Sequence, residues 1–213
     1  MNQVFNLDVF VLVILTIVWC FFHSTLISPV IIKFLKKTLD SKFRYYRIAY
    51  NLFSLGTFIL VLQYEMTIRK EIIFDWKAYF GIIRVFLFIL TIALFYFGAQ
   101  RYSFSEFIGL KQLNRQKINL TISRSGELDT SGIHKIIRHP WYLGTLIIIW
   151  LRDLSISIIY MNIILSAYLI IGALLEEKKL VNEFGQAYLN YKKQVSMLIP
   201  FKLLTAPNYK NQK

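Results

Sequence analysis

The sequence predicts an all-α integral membrane bundle of five transmembrane helices, closed by a C-terminal amphipathic cytoplasmic helix. Three observations predict it. Of 213 residues, 56% are apolar and 16% aromatic, with a mean hydropathy of +0.49, too apolar for an ordinary soluble domain. The apolar residues lie in runs that match a hydrocarbon core of roughly 30 Å at about 1.5 Å per helical residue. The charge is +13, and all but two of the 25 lysines and arginines fall outside those runs, Arg84 and Arg152 being the exceptions.

The first run, Leu7 to Ile32, reads as a retained first helix, because it has no basic stretch ahead of it and no small-residue cleavage site. Ala49 to Tyr64 and Tyr79 to Ala99 supply the second and third helices. Trp141 to Leu175 is too long for one crossing. Its only charged break is Arg152-Asp153, so it predicts a hairpin with a short arm, Trp141 to Leu151, of about 16 Å and a long arm, Leu154 to Leu175, of about 33 Å. If the long arm crosses fully, the Arg138-His139-Pro140 corner is drawn below the membrane surface into a cavity walled by protein or water. Beyond it, Leu180, Phe184, Tyr188, Tyr191 and Val195 recur at helical spacing, predicting an amphipathic helix that Pro200 ends.

Orientation follows the basic residues. Six lie between Ile27 and Arg47, seven between Arg101 and His139 and seven after Leu175, which is 20 of 25. These segments belong on the cytoplasmic side, with the N-terminus outside and a bacterial inner membrane as the expected location. The positive charge is thereby accounted for by orientation and by membrane lipids with anionic headgroups, and it calls for no nucleic acid. Cys20 is the single cysteine. It stands three residues before His23 with no second Cys/His cluster to complete a tetrahedral set, so no metal site is expected. His23 and Ser24 are expected to line the cytoplasmic end of the bundle. With no repeat or linker, residues 1–213 read as one domain without an obligate protein partner.

Chemistry concentrates at the threshold of the hairpin. Ser131 to Gly144 reads SGIHKIIRHPWYLG and is followed by Glu176 and Glu177. Ionisable groups at membrane depth are costly and mark function by default. Pro140 suits the first position of a helix, and Gly132 and Gly144 permit close approach. Free backbone N–H groups at that helix entrance, with Arg138 and His139, would attract a carboxylate or phosphate. The hairpin returns Glu176 and Glu177 to the same side. The competing reading of this segment alone is an aromatic belt of Trp141 and Tyr142 with Arg138 and His139 snorkelling to the surface.

GIHKIIRHPWYLG followed by EEKKLVNEFGQAYLNYKKQVSMLIP resembles the membrane methyltransferases of the isoprenylcysteine carboxyl methyltransferase and phospholipid methyltransferase superfamily. FHSTLIS, YYRIAYN and SEFIGLKQL look like its branch of methanethiol S-methyltransferases and NnrU-like proteins. The resemblance implies S-adenosylmethionine as cofactor, three transmembrane helices in residues 1–100, and a cofactor-binding part in residues 101–213. It implies that His139, Pro140, Trp141 and Tyr142 line the cofactor pocket with Gly144 behind them, and that Glu176, with Glu177, contacts the cofactor. Glu127, Leu128 and Asp129 would add backbone contacts. Arg138 and His134 are the candidate catalytic groups. His134 stands where the family usually has Tyr and would put a titratable group near the reaction. Gly172 stands where carboxyl methyltransferases place an arginine for the prenylcysteine carboxylate, which favours a small thiol acceptor. The alternatives are a prenylcysteine or phospholipid acceptor, and a non-catalytic NnrU-like membrane protein.

Overall fold

The computed structural model describes residues 7–77, 80–100, 108–113 and 128–205. Most of them are helical. Among the described residues, four helical stretches are long and apolar enough to cross a membrane: Leu7–Leu26, Pro29–Thr67, Gly81–Ala99 and Ile156–Phe184. The protein is therefore a multi-pass membrane protein. A fifth apolar helix, Pro140–Trp150, has 11 residues, about 16 Å of rise, too short to cross by itself. The chain forms two compact units.

One unit contains α1 (Leu7–Leu26), α2 (Pro29–Leu39), α3 (Tyr46–Thr67), β1 (Ile72–Phe74), the short α5 (Leu110–Leu113), β2 (Leu154–Ser155) and the first part of α7 (Ile156–Phe184), up to Tyr168. Val9, Leu12, Thr16 and Cys20 recur at helical spacing and are the buried stripe of α1. The Thr16 hydroxyl can sit there because it donates to Leu12 O at 2.8 Å within its own helix. Trp19 Nε1 donates to Ser54 O at 3.0 Å and ties α1 to α3. The expected single helix from Leu7 to Ile32 is in fact two. Pro29 has no N–H to continue α1 and instead opens α2, whose first turn is capped by Ser28 Oγ accepting from Ile31 N. Leu154 and Ser155, expected to begin the long arm, pair antiparallel with Phe74 and Ile72, so the helix starts at Ile156. Large apolar side chains such as Phe21, Leu52 and Leu60 remain exposed, as lipid-facing helices require.

The second unit contains α4 (Gly81–Ala99), a 3-10 turn at Gly132–Lys135, α6 (Pro140–Trp150), the rest of α7, α8 (Gln186–Gln194) and α9 (Phe201–Thr205). α4 and α6 lie unusually close because two glycines allow it. A Cβ at Gly98 would stand 2.5 Å from the Trp141 indole, and one at Gly144 would stand 3.3 Å from Phe95. The expected amphipathic helix is split. α7 runs through Glu176 and Glu177 to Phe184, Gly185 turns the chain at φ +54°, and α8 ends at Gln194, well before Pro200. Glycine is the residue that accepts this left-handed backbone without a Cβ clash. The apolar stripe survives the break: Tyr188, Tyr191 and Val195 are buried together and pack on Leu128, Leu180, Val181 and Phe184.

Candidate functional site

The second unit brings together most of the residues singled out in the sequence. Ile137 and Ser196 form an isolated parallel bridge, and beside it Arg138 N donates to Ser196 O at 2.9 Å and His139 N to Met197 O at 3.1 Å. This pairing holds the stretch before α6 extended until Pro140 starts the helix. His139 is the residue before the helix, with φ −125° and ψ 67° and no side-chain cap, outside the helical region that a following proline disfavours.

Three contacts then share one hairpin register. The Tyr142 ring comes within 3.4 Å of a Cβ position at Gly172. His139 Nδ1 lies 3.9 Å from Glu176 Oε2. Arg138 Nε donates to Glu177 Oε1 at 2.7 Å, and its terminal nitrogen lies 2.5 Å from the same oxygen. Each step back along α6 matches a step forward along α7, as two antiparallel helices demand. The Arg152-Asp153 break thus makes the hairpin that its charge predicts.

Glu177 is the hub. It is buried, and besides Arg138 it meets Lys192 Nζ at 2.8 Å through Oε2 and His139 Nε2 at 3.4 Å through Oε1. A buried carboxylate is tolerated when it is paired and hydrogen-bonded in this way. The remaining terminal nitrogen of Arg138 donates to Lys192 O at 3.3 Å and to Val195 O. The guanidinium of Arg138 is therefore engaged by protein groups on several sides, and it ties the end of α8 to α7.

His134 also has a binding role within the chain. Its Nδ1 is 3.2 Å from Arg138 O, and its carbonyl accepts from Tyr191 OH at 2.6 Å. Burial is the first cause that pushes the pKa of the Tyr191 phenol above its ordinary value. Leu128 packs in the apolar cluster beside it. Asp129 makes a local turn, its Oδ1 accepting from Ser131 N at 2.9 Å and from Ser131 Oγ at 2.5 Å. Glu127 lies outside the described residues. Trp141 is oriented toward α4, its Nε1 donating to Phe95 O at 3.2 Å, while Gly144 serves the same helix contact.

The groups around His139 are held within the cluster: its Nε2 is buried against Glu177 Oε1 at 3.4 Å, and the Tyr188 hydroxyl is buried without a hydrogen bond of standard geometry. The Glu176 side chain is 34% exposed, and the Tyr142 ring meets the His139 ring edge-on at 5.2 Å. Lys192 is a participant that the sequence does not single out, while Tyr188 and Tyr191 stand there as members of the amphipathic stripe. Their signal is a lysine and two tyrosines on the segment that α7 and Gly185 fold back over the RHP corner.

Residues 11–151 match the family described as NnrU protein, which is well over half of the chain. The chain belongs to the NnrU protein family. Among curated relatives, this NnrU family member is similar to a methanethiol S-methyltransferase of Pseudomonas deceptionensis, with 40% identity over 76 residues, covering 35% of this chain and 29% of the relative. It is similar to methanethiol S-methyltransferase 1 of Bradyrhizobium diazoefficiens, with 31% identity over 98 residues, covering 46% of this chain and 34% of that protein. A methanethiol S-methyltransferase of Crocosphaera subtropica is 34% identical over 73 residues, 34% of this chain and 29% of its own length. The chain thus matches about a third of the length of these relatives. No solved structure matches it.

Proposed function

We propose that this chain is an integral membrane methyltransferase that transfers the methyl group of S-adenosylmethionine to a thiol, methanethiol being the acceptor named for its relatives. The observation that carries the reading is the ionic cluster of Arg138, His139, Glu176, Glu177 and Lys192 at the N-terminal end of α6. It offers both signs of charge beside aromatic walls, which suits a cofactor with an amino-acid head, a ribose and an adenine ring.

The residues present fit that group. Glu176, partly exposed, would hold the ammonium. Lys192, with the positive N-terminal end of α6, would hold the carboxylate. Bound there, S-adenosylmethionine supplies a methyl group on a positively charged sulfur. The chain's own task is then alignment and exclusion of water. Arg138 and Glu177 position these groups by fixing α8 against α7. The nucleophile is the thiolate, formed by loss of the thiol proton to water, so no strong base is required of the chain. Gly172, beside Tyr142, supplies no cation for an acceptor carboxylate, and a buried charge without a partner is costly. A neutral thiol meets no such cost. In this reading the basic ends of the helices and the ionic cluster lie on the cytoplasmic face of a bacterial inner membrane.

The test is transfer by the purified full chain from methyl-labelled S-adenosylmethionine, with methanethiol, phosphatidylethanolamine and a farnesylcysteine analogue as parallel acceptors. Label in a volatile thioether is the expected result. Label in a base-labile farnesylcysteine ester or in the phospholipid would move the acceptor while keeping the enzyme class. No cofactor binding by calorimetry would overturn the enzyme reading and leave a non-catalytic membrane protein.

A further inference from the structure

Within the first unit, residues 27–45 leave the pair of helices α1 and α3 and come back to the place where they left. The Tyr46 hydroxyl, at the start of α3, donates to Leu26 O, at the end of α1, at 2.6 Å. α3 needs none of this excursion to cross a bilayer, since its 22 residues rise about 33 Å. In between, Pro29 opens α2, whose 11 residues rise about 16 Å. Asp40 takes φ +43° where α2 gives way to the 3-10 turn Asp40–Tyr45, which packs back on it. Val30, Ile31 and Ile32, apolar enough to read as the end of a first crossing, thus belong to a side branch of the two spans. We propose that α2 lies in the plane of the membrane surface and docks on anionic phospholipid headgroups.

The surface of α2 falls into three stripes, and none of its residues is buried. At about 100° per residue, Ile31, Ile32, Leu35 and Leu39 share one face and are half-buried. Val30 and Phe34, four residues apart, form a second stripe and are 75% and 63% exposed. Lys33, Lys36 and Lys37, all exposed, form the third, beside it. An exposed apolar stripe flanked by lysines is what an interfacial helix presents, the first to acyl chains and the second to headgroups. The charge selects an anionic surface: six basic residues stand against one acidic residue, Asp40, from Ile27 to Arg47, and lysines attract anionic lipid at close range. Continuity selects the bilayer, because α2 is joined at both ends to helices that are long and apolar enough to cross it. Tyr45 marks the same level. It is 49% exposed, with the Arg44 guanidinium 4.7 Å above its ring, an amphipathic aromatic suited to headgroup depth. A second copy of the chain seated on this face by two-fold symmetry would set lysines against lysines.

The test uses the full chain with Cys20→Ala and Phe34→Cys, the new cysteine carrying a fluorophore, in phosphatidylcholine vesicles with an equal minor content of doxyl-labelled phosphatidylglycerol or doxyl-labelled phosphatidylcholine. Expected is quenching by the doxyl lipids and not by aqueous iodide, with the phosphatidylglycerol form roughly fivefold more effective, the size of one lysine at an anionic surface. That preference should shrink in high salt and disappear when Lys33→Gln, Lys36→Gln and Lys37→Gln are combined, changes at exposed positions whose folding is checked by thermal unfolding. The unmodified chain supplies a second measurement: native mass spectrometry from micelles holding equal phosphatidylglycerol and phosphatidylcholine should show the anionic lipid in most of the adducts. Quenching by iodide alone would place α2 in water, and disulfide-linked dimers through Phe34→Cys would put a second copy on this face; either would overturn the proposal. So would equal preference for the two lipids in either measurement. Neither readout involves S-adenosylmethionine, so the outcome is separate from that of the proposed function.

Discussion

Arg138, just before α6, donates through Nε to Glu177 in α7 at 2.7 Å, a pair 39 residues apart in the chain that joins the two arms of the hairpin. The same guanidinium reaches the carbonyls of Lys192 and Val195. One side chain therefore holds three segments, and the charge it meets is buried.

Removing it should be costly. Arg138→Ala leaves Glu177 buried with only Lys192 and His139 nearby and should destabilise the protein by about 3 kcal/mol or more. Thermal unfolding in detergent measures this. Arg138→Met combined with Glu177→Leu should cost less than the two single changes together, because no buried charge is orphaned. Simple additivity would contradict the pair.

The two adjacent glutamates should separate. Glu176→Gln, at a partly exposed position, is expected to leave the unfolding temperature nearly unchanged and to weaken S-adenosylmethionine binding roughly tenfold. Glu177→Gln should lower both. Equal effects in calorimetry and unfolding for the two variants would remove Glu176 from the cofactor site.

Helix approach gives a graded series. Gly98→Ala would press a methyl into the Trp141 ring, 2.5 Å away, and toward Pro140, costing about 1–3 kcal/mol and shifting Trp141 fluorescence. Gly144→Ala, 3.3 Å from Phe95, should cost less. Gly56→Ala, with nothing within 4 Å, should be close to neutral. A flat series would mean that α4 and α6 do not pack as described.

Tyr191 links stability to alkaline pH. Burial, opposed by Arg138 and reinforced by Glu177, raises its phenol above the ordinary value of 10.0. The stability it contributes is fully present below about pH 10, where the unfolded chain's phenol also keeps its proton. It is lost as pH rises beyond that, because the unfolded state ionises first. Tyr191→Phe should lose about 1 kcal/mol near neutrality with its bond to His134 O, and show a shallower fall in stability above pH 10. Tyr188, also raised, retains the rest of the slope. An unchanged alkaline slope in Tyr191→Phe would refute the link.

Orientation can be read from accessibility. With Cys20 replaced by Ala, probe cysteines at Lys37 and Arg69 flank α3 and should label from opposite faces of intact vesicles, Lys37 from the cytoplasmic face. Labelling from one face would remove α3 from the set of membrane-crossing helices.

By itself the sequence determined the class and the place where chemistry gathers. Hydropathy and charge are local sums: a run such as Gly81–Ala99 is apolar whatever surrounds it, and helix formation within lipid follows from the need to satisfy the backbone inside the segment. Pro140 and the Arg152-Asp153 break are likewise local signals, and they lie where α6 begins and where the hairpin turns. The break at Pro29 was as visible in the chain, yet the apolar pattern across it masked the change of helix. Only the tertiary structure decided which charges meet. Spacing alone is as compatible with Arg138 and Glu177 each facing lipid headgroups or a ligand, and their pairing depends on the offset between α6 and α7. The return of Lys192 and Tyr191 over the RHP corner depends on the left-handed turn at Gly185 and on the parallel bridge of Ile137 with Ser196, contacts between residues 54 to 59 positions apart that no local pattern encodes.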